Sequence, residues 1–204
     1  DFGKVDWKHL RLAVAGGMAV QHVVAHRWKQ MTGVPLVEGY GLTESAPVAI
    51  ANPVTIDEWS GQIGVPLPST DAAVLDDDGK PVALGEVGEI CLRGPQVMKG
   101  YWNCPEETAH VLTVDGWLRT GDMGVMDERG NIRITDRKKD MIIVSGFKVF
   151  PNEIEDVLTK HPGVLEAAAI GVRDERSGEA VKVFVLRKDP ALTEAELLAH
   201  CKQH

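Results

Sequence analysis

The apolar positions of the first fifty residues change period twice. Leu10, Leu12 and Val14 alternate as they do in a strand, and Gly16-Gly17 breaks the run. From about Ala19 to Thr32 a spacing of three and four takes over, with Val20, Val23, Val24, Trp28 and Met31 on one helical face closed by Gly33. Pro35 to Glu38 then reads as another strand, and strand, helix, strand predicts a βαβ unit. From about Asn52 to Thr135 helical periodicity fades. Short apolar runs alternate with turn sequences such as Asp76-Asp77-Asp78-Gly79 and Asp127-Glu128-Arg129-Gly130-Asn131, which predicts a small, mostly-β subdomain.

Between Ile132 and Glu155 the charged run Asp136-Arg137-Lys138-Lys139-Asp140 separates two apolar segments. Met141 to Val144, a turn at Ser145-Gly146, and the alternation through Phe147, Lys148, Val149 and Phe150 predict strand, turn, strand. Pro151-Asn152-Glu153 opens a helix with Ile154, Val157 and Leu158 on one face, and His161-Pro162-Gly163 stops it. A strand over Val164 to Ile170, a polar loop over Arg173 to Glu179, a strand over Ala180 to Arg187 and a helix opened by the capping-box pair Thr193 and Glu196 complete the pattern. The expected fold class is mixed α/β and α+β. It comprises the end of a βαβ-type N-terminal subdomain (1–51), a mostly-β subdomain (52–135), a hinge (136–140) and a truncated α+β C-terminal domain (141–204). The start on Asp1 without a methionine and the last helix running to His204 without a stop signal read as a piece of a longer protein.

The composition, 44% hydrophobic over 204 residues, is that of a globular protein. A net charge of -8 argues against non-specific binding to nucleic acid or to an anionic membrane, so basic contacts to any anionic ligand must be local. Cys91, Cys104 and Cys201 are far apart and form no metal-ligand spacing, which suits reduced thiols and a cytoplasmic setting. No apolar run approaches the ~18 residues of a membrane span.

Three stretches could carry chemistry. In Gly39-Tyr40-Gly41-Leu42-Thr43-Glu44-Ser45 the glycines Gly39 and Gly41 allow a ligand close to the backbone on either side of an aromatic ring that could stack on a base. Thr43 offers a hydroxyl for phosphate and Glu44 a hard carboxylate for Mg²⁺; a Gly-rich turn explains the motif equally well, and the third glycine of a dinucleotide fingerprint is replaced by Glu44. Asp122, in Thr120-Gly121-Asp122, could accept both hydroxyls of a ribose or simply form a turn. Arg137, Lys138, Lys139 and Lys148 concentrate positive charge, for a phosphate-bearing ligand or as a solvated loop. His22 and His26 lack the Glu of a zinc-protease motif, and the Asp76 turn lacks the first ligand of a calcium loop.

In order along the chain, Gly16-Gly17-Met18, the Gly39 to Ser45 motif, Thr120-Gly121-Asp122 and the Asp136 to Asp140 run through Pro151-Asn152-Glu153-Ile154-Glu155 resemble the acyl-adenylate-forming enzymes. The wording from Gly94 to Trp102 is most similar to the bacterial long-chain fatty-acid CoA ligases. The resemblance implies a two-step ligase joining a fatty acid to coenzyme A at the expense of ATP, with Mg²⁺ as cofactor. It implies Gly16 and Gly17 beside the adenine, Tyr40 stacked on it, Thr43 on phosphate, Glu44 on Mg²⁺, and Asp122 and Arg137 on the ribose. Lys139 would be the hinge between half-reactions, Gly146 would lie along the pantetheine arm, and Lys148 would approach the phosphate. The catalytic set would then be Thr43, Glu44 and Lys139. Two further elements of such enzymes, a phosphate loop expected before Asp1 and a catalytic lysine expected after His204, lead to the expectation that the 204 residues alone are inactive. An adenylation enzyme for an aryl or amino acid, or a nucleotide-binding module without chemistry, are the alternatives. Peripheral contact with the inner membrane is a further expectation from the resemblance.

Overall fold

The computed structural model describes residues 2–203 and divides into two compact units, Asp1–Ile134 and Thr135–His204. The first unit begins with β1 (Ala13–Ala15), α1 (His22–Thr32), β2 (Leu36–Gly41), β3 (Val48–Ala51) and β4 (Val65–Pro66). β1 pairs in parallel with β2, as the βαβ pattern predicts, and β3 and β4 add antiparallel on the other side of β2. A second sheet, in the order β5-β6-β7-β8, follows from β5 (Asp71–Leu75), β6 (Gly88–Arg93), β7 (Leu118–Met126) and β8 (Ile132–Arg137), with the helix α2 (Pro105–Val111) between β6 and β7. Tyr40, Ala49, Ile50, Ile63, Ile90, Leu92, Leu118 and Ile132, contributed by both sheets, form one buried cluster. At roughly 1.5–3 kcal/mol for each fully buried large apolar side chain, this shared core is what holds the two sheets together.

Three features of the first unit differ from the sequence pattern. α1 starts at His22 rather than Ala19, because Gly17 takes a positive φ of 87° and Gln21 is still extended. It ends as expected on Gly33, whose left-handed φ of 74° lets its N–H reach the Lys29 carbonyl at 2.8 Å. The predicted apolar face of α1 does not point into the core: Val23 and Val24 are 73% and 54% exposed, and the buried residue is Ala25. β2 is longer than predicted and carries Gly39, Tyr40 and Gly41 within the strand instead of in a loop after it. The reason is pairing: Gly39 and Tyr40 lie opposite Ala51 and Ile50 of β3, which keeps the chain extended through the glycines.

The second unit contains β9 (Ile142–Val144), β10 (Phe147–Val149), α3 (Pro151–Thr159), β11 (Val164–Asp174), β12 (Gly178–Arg187) and α4 (Glu194–Gln203), with sheet order β10-β9-β12-β11. Ser145 and Gly146, with φ of 51° and 86°, make the two-residue turn of the β9–β10 hairpin. The polar loop expected over Arg173 to Glu179 shrinks to a tight turn between β11 and β12. Asp174 drives this, its Oδ1 accepting first from the Ser177 hydroxyl and then from the backbone N–H groups of Ser177 and Arg176, and these bonds hold its carboxyl below the usual range. The capping box of α4 forms as its sequence predicts, with Thr193 N–H donating to Glu196 Oε2 at 2.9 Å and Glu196 N–H to Thr193 Oγ1 at 3.3 Å. His204, the residue to which this helix was expected to run, lies outside the described residues.

Candidate active site

The chemistry-bearing residues of the first unit converge on the C-terminal end of β2. Gly16 lies against the β2 backbone so closely that a Cβ there would stand 2.8 Å from the Gly39 carbonyl oxygen. Gly41 is tighter still, since a Cβ would come 1.6 Å from the Pro47 carbonyl oxygen. The chain therefore doubles back directly after Tyr40, through a 3-10 turn over Thr43–Ser45 that the Ser45 hydroxyl closes by accepting from Leu42 N–H at 3.0 Å. Thr43 is exposed on this turn and Glu44 half-buried, both beside the end of the strand.

Tyr40 and Asp122 are brought together. The Tyr40 hydroxyl donates to Asp122 Oδ2 at 2.6 Å, and both residues are 7% exposed. The tyrosine is thus a core residue, with only a small part of its ring available to a stacking partner. Asp122 is set on β7 by its neighbours: its N–H donates to Thr120 Oγ1, which in turn donates to the Ile90 carbonyl at 2.7 Å. Gly121, at φ 74°, gives its N–H to Oε1 of the buried Glu89, whose other oxygen is 3.4 Å from Arg119 Nε. This support around Asp122 was missed in the sequence; the signal was Glu89, a charged residue set directly before the apolar run Ile90-Cys91-Leu92 of β6.

A second missed residue is Tyr101. Its hydroxyl donates to Glu44 Oε1 at 2.8 Å, and the phenol is consequently harder to ionise than an ordinary tyrosine, first because that hydrogen bond would be lost beside a carboxylate and second because of burial. Among the described residues no group of three or more His, Cys, Asp or Glu could hold a metal ion. A single half-buried carboxylate nevertheless fits Mg²⁺, which commonly takes one or two protein carboxylates and fills its remaining positions with water and phosphate oxygens. His22 and His26 stack on each other with ring centroids 5.9 Å apart, and His22 meets the edge of Trp59.

The remaining predicted residues belong to the second unit. Arg137 ends β8 and is exposed. Lys139 sits in the turn that follows, where Asp140 N–H donates to the Arg137 carbonyl at 3.0 Å. Gly146 occupies the β9–β10 turn and Lys148 is exposed on β10. Within the run Asp136 to Asp140, Asp136 does not share the exposure of Arg137, Lys139 and Asp140. Asp136 is 4% exposed, and its carboxylate accepts from Arg137 N–H at 2.7 Å and from Asn152 N–H at 3.0 Å, so that it caps the first turn of α3.

A tyrosine and an aspartate joined across two sheets, a Gly-lined strand end and a carboxylate on the adjoining turn thus lie together at the end of β2. The profile of the AMP-binding enzyme family matches residues 2–102, and that of the AMP-binding enzyme C-terminal domain matches residues 153–204. The chain belongs to this family. It is 57% identical, over its whole length, to the long-chain-fatty-acid–CoA ligase of Salmonella typhimurium, of which it covers 36%, and 47% identical over 194 residues to the ligase of the same name from Bacillus subtilis, of which it covers 34%. Among solved structures, ATP-bound MatB from Rhodopseudomonas palustris superposes with a TM-score of 0.89 at 38% identity, over 95% of this chain and 39% of MatB. The chain therefore spans about a third of the length of the curated relatives it matches.

Proposed function

We propose that the protein carrying this sequence is an AMP-forming long-chain fatty-acid CoA ligase acting on fatty acid, ATP and coenzyme A. The observation that carries the reading is the 2.6 Å contact between Tyr40 and Asp122, which sets an aromatic ring and a carboxylate side by side at the Gly-lined end of β2. In the first half-reaction a carboxylate oxygen of the fatty acid attacks the α-phosphorus of ATP, and the bond to pyrophosphate breaks. In the second the thiol sulfur of coenzyme A attacks the acyl carbonyl, and the bond to AMP breaks. Mg²⁺, when bound, would neutralise charge on the phosphates, and Glu44 is the residue that would hold it.

The other roles follow from side-chain chemistry. Asp122 accepts ribose hydroxyls with the carboxylate that Tyr40 orients, and Thr43 donates its exposed hydroxyl to phosphate. Gly16 and Gly17 lie beside the adenine, with the Gly16 backbone close against Gly39. Arg137 supplies a fixed guanidinium fork for ribose or phosphate oxygens, and Lys148 a mobile charge. Lys139 is the pivot of domain rotation, and Gly146 leaves room for the pantetheine arm. Among the described residues no helix is long and apolar enough to cross a membrane, and none of the three cysteines is in a disulfide. We place the protein in the cytoplasm, with peripheral contact at the inner membrane where its lipid substrate resides.

The test is a coupled assay on the natural full-length protein with fatty acids of increasing length, aryl acids and amino acids. Pyrophosphate release and acyl-CoA formation that peak with long-chain acids support the reading; a peak with an aryl or amino acid replaces it. The 204 residues by themselves are expected to release no pyrophosphate.

A further inference from the structure

We propose that Tyr101 is a positioning residue for Glu44, holding one carboxylate oxygen so that the other is presented to the Mg²⁺ that accompanies ATP. The inference rests on the reading of Glu44 as the metal-holding residue and extends it to a side chain 57 residues away.

The segment between β6 and α2 is built to deliver this one hydroxyl. Its start is anchored by Gln96, which donates to Thr70 Oγ1 at 2.7 Å, and by Val97 and Met98, which pack on the shared core. Met98 N–H then donates to the backbone carbonyl of Glu44 itself at 2.8 Å. Further on, Tyr101 N–H donates to Thr108 Oγ1 at 2.9 Å, and that hydroxyl donates to the Cys104 carbonyl at 2.8 Å, which fixes the tyrosine backbone to the first turns of α2. Gly100 permits the bend, with a φ of 147° and no room for a Cβ beside Thr108. The neighbouring Trp102 is 89% exposed, whereas Tyr101 turns back to Glu44 and is 37% exposed. Backbone and side chain of Glu44 are thus both held by the same segment.

A glutamate on a 3-10 turn has three rotatable bonds and loses part of its affinity for a cation to the entropy of ordering them. A tyrosine donor to Oε1 removes much of that freedom before the cation arrives and leaves Oε2 for it. Outer partners that orient metal-binding carboxylates typically change metal affinity or activity by about 10–100-fold when removed.

Binding of ATP to the natural full-length protein, measured calorimetrically with and without Mg²⁺, tests this without turnover. Tyr101→Phe is expected to weaken ATP binding in the presence of Mg²⁺ by about tenfold while leaving metal-free ATP binding and the thermal midpoint unchanged. Glu44→Ala should abolish the gain that Mg²⁺ confers, and the double variant should be no weaker than Glu44→Ala alone. Equal weakening by Tyr101→Phe with and without Mg²⁺, or losses that simply add in the double variant, would overturn the proposal. Two failures are separable: if Glu44→Ala keeps the full gain from Mg²⁺, the reading of Glu44 falls and this inference with it; if Glu44→Ala loses it and Tyr101→Phe does not, only the role of Tyr101 falls.

Discussion

The Tyr40 hydroxyl lies 2.6 Å from Asp122 Oδ2, joining β2 to β7 across 82 residues of sequence between two buried side chains. A hydrogen bond to a charged group contributes about 1.5–3 kcal/mol, and a buried carboxylate that loses a donor bears its full desolvation. Tyr40→Phe should therefore lower stability by about 1.5–3 kcal/mol, read from chemical denaturation. In the proposed nucleotide site, Asp122→Ala should weaken AMP binding by roughly ten- to a hundredfold. A double-mutant cycle should show the two substitutions to be strongly non-additive; additive losses would mean that the contact does not orient Asp122.

The glycines flanking Tyr40 make opposite predictions. Gly41→Ala places a Cβ 1.6 Å from the Pro47 carbonyl oxygen, a collision with backbone that only movement of the β2–β3 connection can relieve. It should cost about 3 kcal/mol or more in stability. Gly39→Ala meets nothing closer than 3.8 Å, and its effect should stay within about 1 kcal/mol. Thermal midpoints of the two variants without nucleotide decide this, and similar values would contradict the close approach at Gly41.

Much of the fold was legible because local rules and tertiary packing agree there. The β9–β10 hairpin, the start of α3 at Pro151 and the capping box of α4 each depend on residues within a few positions of one another. The predictions that failed depend on partners distant in the chain. The apolar stripe of α1 has helical spacing, yet the residue that is buried is the small Ala25, outside that stripe. Gly39-Tyr40-Gly41 carries turn chemistry, and pairing with β3 overrides it. In the candidate site, residue types marked Asp122 and Glu44. Their hydrogen-bond partners Tyr40 and Tyr101 could not be read as such, because nothing in spacing announces a contact between separate elements. Asp136 is a further such case, a buried cap that a run of charges does not announce.

Glu38, one residue before the motif, is 7% exposed and one of its carboxylate oxygens has no hydrogen-bond partner. Burial raises its pKa above the ordinary 4.5, although the Val20 backbone N–H pulls in the opposite direction. An acid whose folded pKa is raised supports the fold fully below its unfolded value, and that support is lost as pH rises through the folded value. Glu38→Gln removes the ionisation and keeps an oxygen for Val20. It should raise the thermal midpoint relative to the parent above neutrality, and the advantage should fade toward about pH 4. A stability difference independent of pH would mean that Glu38 does not ionise at a cost.

Lys139 offers the most discriminating test of the proposed domain rotation. The hydrogen bond from Asp140 N–H to the Arg137 carbonyl makes Arg137 to Asp140 a β-turn with Lys139 as its third residue, and Met141 N–H reaches the same carbonyl at 3.2 Å. Proline at Lys139 fixes φ there, removes an N–H and drives Lys138 toward extended backbone, so both central residues of the turn lose freedom together. An adenylation step carried out in one domain orientation can survive a frozen pivot, whereas a thioester step that needs another orientation cannot. In the natural full-length protein, Lys139→Pro should leave acyl-adenylate formation, followed by pyrophosphate release, within a few-fold of normal while thioester formation falls by at least about a hundredfold. Equal losses in both half-reactions would instead mark the Arg137 to Asp140 turn as a structural element of the second unit and place the pivot elsewhere.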